Sequence, residues 1–296
     1  MEKTQLQSEN TDSTGGTTTQ QLVTISSTSF SVNHPLPADR QRFFLSLTEG
    51  IFGLDEEVKE QKLQILSVSC TIKDLVPYLC AFIRNTIDMN KGNPDLILFT
   101  NSIRMVDNLI NNEHLNLTPV LNDLFPAVIS CILTRKVSRN CYENHWPLRD
   151  FSISLIKTIC EKYNNPADNI KNRVIHIYYK PLKDCKIYPL TTLYGAIKGL
   201  GSLGEEVIKI FVLPHINNLG KVLFEKPFSS RRLSEANQYA MEVKQVKQAI
   251  VNVTAPVLLK MKDANDGKSS YSKKFGYLGK CLYAEIKKLE STNIKK

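Results

Sequence analysis

The sequence is sparing in the residues that mark specialised classes of protein: 296 positions hold one tryptophan, seven cysteines, thirteen glycines and thirteen prolines. So few glycines, with no G-X-Y period, exclude a collagen-like chain, and a hydrophobic content of 42% excludes a fully disordered one. The cysteines are odd in number, scatter from Cys70 to Cys281 and contain no C-x-x-C pair. Reduced, mostly buried thiols are expected instead of a disulfide frame. No unbroken run of about 18 apolar residues appears, so no membrane span is expected. The N-terminus lacks the basic and apolar blocks of a signal peptide, which points to an intracellular protein. No two of His34, His114, His145, His176 and His215 stand three to five residues apart, and no Walker loop or G-x-S-x-G is present. The expectation is a protein with no metal, no cofactor and no catalytic residue.

The charge is uneven. Lys and Arg total 38 against 29 Asp and Glu, a net +9. From Lys260 onward ten lysines face four acids, so the rest of the chain carries only +3. A near-neutral body does not suit a protein that grips nucleic acid along its length. The basic segment 257–296, with Lys268, Lys273, Lys274 and Lys280, reads as a solvated extension; weak contact with nucleic acid is its alternative role.

Residues 1–37 read as a disordered linker. Ser, Thr, Gln and Asn fill 20 of the first 33 positions, too little apolar surface to offset the entropy of ordering. From residue 38 to about Pro256 the apolar residues recur at helical spacing, as in Phe43, Phe44, Leu47 and Ile51, or Leu148, Phe151, Leu155 and Ile159. Even the strand-like Val174–Tyr179 continues a run too long for a strand and is expected to be helical. Pro77, Pro126, Pro214 and Pro256 each follow an apolar residue and precede a new apolar run, which suits the first turn of a helix. Their mean step of about 45 residues lies in the range of HEAT and armadillo repeats. Leu124–Leu133 forms a first helix and Trp146–Phe151 opens a second, with an aromatic followed three residues later by Arg, as in a HEAT second helix. The expected fold is therefore all-α: an α-α superhelix, a HEAT-repeat solenoid of about five helical hairpins (38–71, 75–112, 118–163, 166–204 and 207–252).

Gly199–Gly204 spells G-x-G-x-x-G, the dinucleotide fingerprint, but that site needs a strand before it and a helix opening inside it. Here a helix precedes it. Gly195 and Gly199 are expected to allow close helix packing, and Gly201 and Gly204 to stop and turn the chain. Trp146 reads as a buried wedge between hairpins, with a surface anchor for a partner as the alternative. Arg149 and Asp150 read as a polar ladder between adjacent repeats, or Asp150 as a helix-start contact, with ligand contact as the alternative.

Three blocks carry a family resemblance. Asn144-His145-Trp146-Pro147-Leu148-Arg149-Asp150-Phe151 resembles the NHW-x-LRDF motif of the TFIID subunit 6 family. Leu124–Ile132 resembles that family's L-I-P-A-V-x-x-C-I segment, and Thr191–Leu200, continuing to Leu213-Pro214, resembles its TT-x-YG-[SA]-I-x-GL…LP segment. Ile103-Arg104-Met105-Val106 also fits. The resemblance spans residues 38–256 and implies the family's C-terminal HEAT domain. It marks Asn144, His145, Trp146, Arg149, Asp150, Tyr194 and Gly195 as motif and interaction residues. It implies a non-enzymatic scaffold subunit of TFIID, and of SAGA-type coactivators, in the nucleus. Its partners would be other TFIID and SAGA subunits, engaged during RNA polymerase II pre-initiation complex assembly. The family's histone fold, which pairs with TFIID subunit 9, has no match among these residues, so that pairing is not expected of them. The competing expectation is a HEAT adaptor outside transcription, of the transport-receptor or phosphatase-scaffold type.

Overall fold

The structure, a computed structural model, describes residues 36–140, 142–164, 169–225, 233–262 and 267–293. The linker expected over 1–37 lies almost wholly outside the described residues. Among those described there is no strand, and the helices fall into six sequential pairs. The first two are α1 (Ala38–Phe52) with α2 (Glu56–Val68), and α3 (Val76–Asn90) with α4 (Leu96–Asn111). Then come α5 (Leu121–Leu133) with α6 (Trp146–Tyr163), and α7 (Ile170–Lys183) with α8 (Leu190–Ser202). In the fifth pair, α9 (Glu205–Val207), a π-helical turn (Ile208–Val212), a 3₁₀ turn (Leu213–His215) and α10 (Ile216–Glu225) precede α11 (Leu233–Lys260). The sixth is α12 (Lys268–Phe275) with α13 (Gly279–Asn293).

The second helices form a continuous layer in which α2 touches α4, α4 touches α6, α6 touches α8, α8 touches α11 and α11 touches α13. That translational stacking defines a solenoid: each hairpin leaves an apolar face that only the next can cover. Local capping sets the helix starts. The side chains of Asp55 and Asp95 accept backbone N–H bonds at the first turns of α2 and α4. Pro77 and Pro147 sit in the first turns of α3 and α6.

A second device recurs at helix C-termini, whose last carbonyls have no partner inside the helix. The buried Asn101 of α4 donates to the Ile51 carbonyl that ends α1 (3.1 Å), and Asn112 donates to Leu66 (2.9 Å) and Ser69 (3.0 Å) at the end of α2. Lys162 of α6 donates to Ile110 O of α4 (2.6 Å). Side chains some fifty residues downstream thus close the ends of earlier helices.

Several expectations are corrected. Pro126 and Pro256 lie inside α5 and α11 and do not open helices. Both face solvent, as do Asn122 and Asn252 four residues earlier, so water can reach the carbonyl that each proline leaves unbonded. The basic C-terminal segment is not a solvated tail. Tyr271, Phe275, Leu278, Leu282 and Ile286 recur at helical spacing and are buried in the sixth hairpin, while its exposed faces carry the lysines. Glu205–Phe224, unlike any stretch anticipated from the sequence, is long and apolar enough to cross a membrane. Here it is interrupted by the π and 3₁₀ turns, and its apolar face (Val207, Ile208, Val212, Ile216, Leu219) is buried in the fifth hairpin. Among the glycines, Gly201 lies within α8, where a Cβ would stand 2.7 Å from Val253 of α11. It serves close packing, and the turn is made at Gly204, whose φ of +122° suits glycine.

Candidate functional site

The motif blocks converge on the C-terminal end of α5. Its last carbonyls point toward α6 and α8, with no helical partner of their own. Arg149, on the first turn of α6, is fully buried at 0% exposure. One guanidinium nitrogen donates to Ile132 O and the other to Thr134 O at 2.7 Å, with a longer contact of 3.5 Å to Arg135 O. From α8, Thr192 donates to Leu133 O (2.6 Å) and Thr191 to Arg135 O (2.9 Å). Four consecutive carbonyls are thus clasped by three side chains from two hairpins. The guanidinium's charge is met by the carbonyls themselves, by the negative end of the α5 dipole and by the nearby Glu242 carboxylate of α11. Burial brings Arg149 down to about 10, so it stays protonated at neutral pH.

Around this clasp the other motif residues take defined places. Gly195 lets α8 approach α5 so closely that a Cβ there would lie 2.5 Å from Ile132 O. His145 caps the start of α6; its Nδ1 accepts from Arg149 Nε (3.2 Å), which fixes the ring's lone pair toward the cation. Burial, reinforced by Arg149, pushes His145 down to about 4 and keeps it neutral. Trp146 stacks between His145 (centroids 4.4 Å apart) and Tyr194 (4.6 Å). It is half-buried and not fully buried, which corrects the buried-wedge expectation, though its ring does pack against Tyr194 of the next hairpin. Asp150, one residue on from Arg149, faces outward and accepts from Tyr194 Oη (2.8 Å) and Lys198 Nζ (3.0 Å) of α8. Burial and Asp150 hold the Tyr194 hydroxyl above its ordinary value. Asn144 is exposed in the loop ahead of α6.

Six of the seven motif residues therefore meet at one junction between the third and fourth hairpins, and Asn144 stands at its edge. Thr191, Thr192 and Lys198 complete it. The two adjacent hydroxyls following Pro189, at an otherwise apolar helix start, were the available sequence signal, as was a lysine one turn after Tyr194. The junction is chemically a lock. The His145 imidazole is neutral and engaged with Arg149, and the Asp150 carboxylate is engaged with Tyr194 and Lys198. Among the described residues no group of three or more His, Cys, Asp or Glu could hold a metal ion.

The TAF6 C-terminal HEAT repeat domain, as a family, matches residues 32–217. Transcription initiation factor TFIID subunit 6 of Drosophila melanogaster is 31% identical over 87% of this chain and 42% of its own length. The SAGA complex/transcription factor TFIID complex subunit Taf6 of Schizosaccharomyces pombe is 30% identical over 70% of this chain and 46% of its own. The chain thus spans less than half the length of these curated relatives. The solved TAF6 C-terminal domain from Antonospora locustae superposes with a TM-score of 0.55 over 71% of this chain and 98% of that one, at 18% identity, a likeness of fold. With the motif blocks assembled at one junction of an all-α stack, the chain belongs to the TFIID subunit 6 (TAF6) family, and its matched residues are that family's C-terminal HEAT repeat domain.

Proposed function

We propose that this chain is a non-enzymatic scaffold subunit of TFIID, and of SAGA-type coactivators, that supports RNA polymerase II pre-initiation complex assembly in the nucleus through protein contacts of its HEAT body. The observation that carries the reading is the junction itself. The residues that mark the family bond across two hairpins and hold them in fixed register. A rigid stack with long flanks can hold several partners at set distances. In this reading residues 1–37 are a linker and the docking body runs from residue 38 through the sixth hairpin, with 257–296 its basic end. That end's exposed lysines, among them Lys268, Lys273 and Lys280, add a weak, salt-sensitive contact with nucleic acid. The exposed Asn144 and the half-buried Trp146 present the junction to a partner subunit.

Affinity purification of the tagged chain from nuclear extract, read by mass spectrometry, tests this. TFIID or SAGA subunits should be enriched. Recovery of transport receptors or phosphatase subunits with no TFIID or SAGA component would overturn it in favour of an adaptor outside transcription.

A further inference from the structure

The near-neutral body conceals a basic face. Along α7, Arg173, His176, Lys180 and Lys183 recur at steps of three and four and are all exposed, which places four basic side chains on one side of the helix. Ile177 stands on the same side. The loop following α5 adds exposed Arg135, Lys136 and Arg139. Between the loop and α7 lies an open groove of about 610 Å³. Its floor is apolar, with Leu133, Ile177, Pro181, Tyr188 and Pro189, and its ionisable lining is Arg135, His176 and Lys180, with no carboxylate. Ile187, next to Tyr188, is 78% exposed, so apolar surface continues past the groove's end.

Charge complementarity and the apolar floor together select the occupant. We propose that this groove is a docking site for an acidic peptide segment carrying apolar anchors. The anchors would seat against Ile177 and Tyr188 and the carboxylates would meet Arg135 and Lys180. A nucleic-acid backbone would satisfy the cations but leave the apolar floor without a partner. A purely apolar segment would leave the cations without one. The scaffold reading names the assembly; this inference names the chemistry of one partner on one face, and rests on that reading only in taking the chain to work by docking.

The test uses the full chain and a fluorescein-labelled sixteen-residue peptide made of four Asp-Asp-Phe-Leu units, followed by fluorescence anisotropy. Two further probes accompany it: the same peptide with Ser in place of Phe and Leu, and an oligo-dT strand. The acidic apolar peptide should bind. Reversing both rim charges in R135E/K180E should weaken it by about tenfold or more, because like charges then face each other across the contact. Both side chains are exposed, so circular dichroism should show an unchanged fold; R135Q/K180Q, with a smaller loss, serves as the milder variant. Equal binding by R135E/K180E overturns the proposal. So does equal binding of the Ser peptide, or oligo-dT binding in preference to the peptide. Purification of R135E/K180E from nuclear extract separates the two readings: loss of peptide binding with TFIID subunits retained confines the groove to one partner, whereas wild-type chain that recovers no subunit at all counts against the scaffold.

Discussion

The clasp at the end of α5 makes a sharp energetic prediction, because a fully buried cation held mainly by main-chain carbonyls could equally burden the fold. Arg149 makes hydrogen bonds to Ile132 O and, at 2.7 Å, to Thr134 O, from a fully buried position. Hydrogen bonds to charged groups contribute about 1.5–3 kcal/mol each, and a buried carbonyl stripped of its donor costs about 1–3 kcal/mol. Against this stands the cost of taking the guanidinium out of water, which in some proteins makes a buried charge no better than an apolar side chain of like volume. Arg149→Met keeps most of the volume and removes every donor. The orphaned carbonyls decide the sign, so the expected loss is about 2–4 kcal/mol. Arg149→Lys should lose nearly as much, since a single ammonium cannot span the carbonyls that the planar fork reaches. Urea unfolding followed by the fluorescence of Trp146 reads this directly, because the only tryptophan is stacked on the junction. Circular dichroism reads the rest of the stack. At typical urea sensitivities of about 2–3 kcal/mol per molar, the fluorescence midpoint should fall by about 1 M. An Arg149→Met chain as stable as the parent, or more so, would refute the argument and make the guanidinium a burden.

Other perturbations follow from the same geometry. His145 sits at about 4 in the folded chain against an ordinary value near 6.5, so between those values the unfolded chain binds a proton that the folded one does not. Stability is full above pH 6.5 and falls as acid is added, by about 3 kcal/mol at pH 4 from this group. His145→Asn should flatten the acid limb of a melting-temperature profile by that amount; parallel profiles would contradict the assignment. Gly195→Ala drives a methyl against Ile132 O and should cost about 1–3 kcal/mol in thermal unfolding, whereas Gly92→Ala, with open space around it, should stay within about 0.5 kcal/mol. Tyr194→Phe removes the bond to Asp150 and should cost about 1 kcal/mol. A double-mutant cycle with Lys198→Met should show coupling through the shared carboxylate, and strict additivity would argue against it.

How far the sequence foretold this structure depends on which groups speak in a sequence. Helical spacing of apolar residues marked the paired helices from Ala38 onward, and the strand-like Val174–Tyr179 does lie in α7. The sixth hairpin was obscured because counting lysines hid the three- and four-residue spacing of Tyr271, Phe275, Leu278, Leu282 and Ile286 beneath them. Proline was read as a helix start at four positions, but Pro126 and Pro256 show that it is tolerated further in wherever the carbonyl one turn back faces water. The clasp itself was illegible in principle. Its acceptors are main-chain carbonyls, which every residue carries, and nothing in a sequence says which four of them a helix end will leave unpaired. The basic face was hidden for a related reason: Arg135 and Lys180 are far apart in the chain, so no window of residues contains both.

The junction and the groove share one stretch of backbone, and this bears on why a hydrogen-bonded clasp, and not apolar packing alone, stands between these hairpins. Apolar packing between hairpins is non-directional and would allow small slips of one helix pair along the next. Hydrogen bonds from Asn101, Asn112 and Lys162 to the ends of α1, α2 and α4 remove that freedom at successive steps of the stack. At α5 the fixing is strongest, and the carbonyl of Arg135 is held by Thr191 while its side chain lines the groove. Leu133 and Thr192, bonded to each other across the junction, line the same groove. The groove's two walls therefore belong to different hairpins whose register the clasp sets. A contact surface built across two repeats keeps its shape only if the repeats cannot slide. Two adjacent hydroxyls that must each reach a particular carbonyl are selective for a single register in a way that leucine against leucine is not, and Arg149 holds the neighbouring carbonyls in place from within the third hairpin.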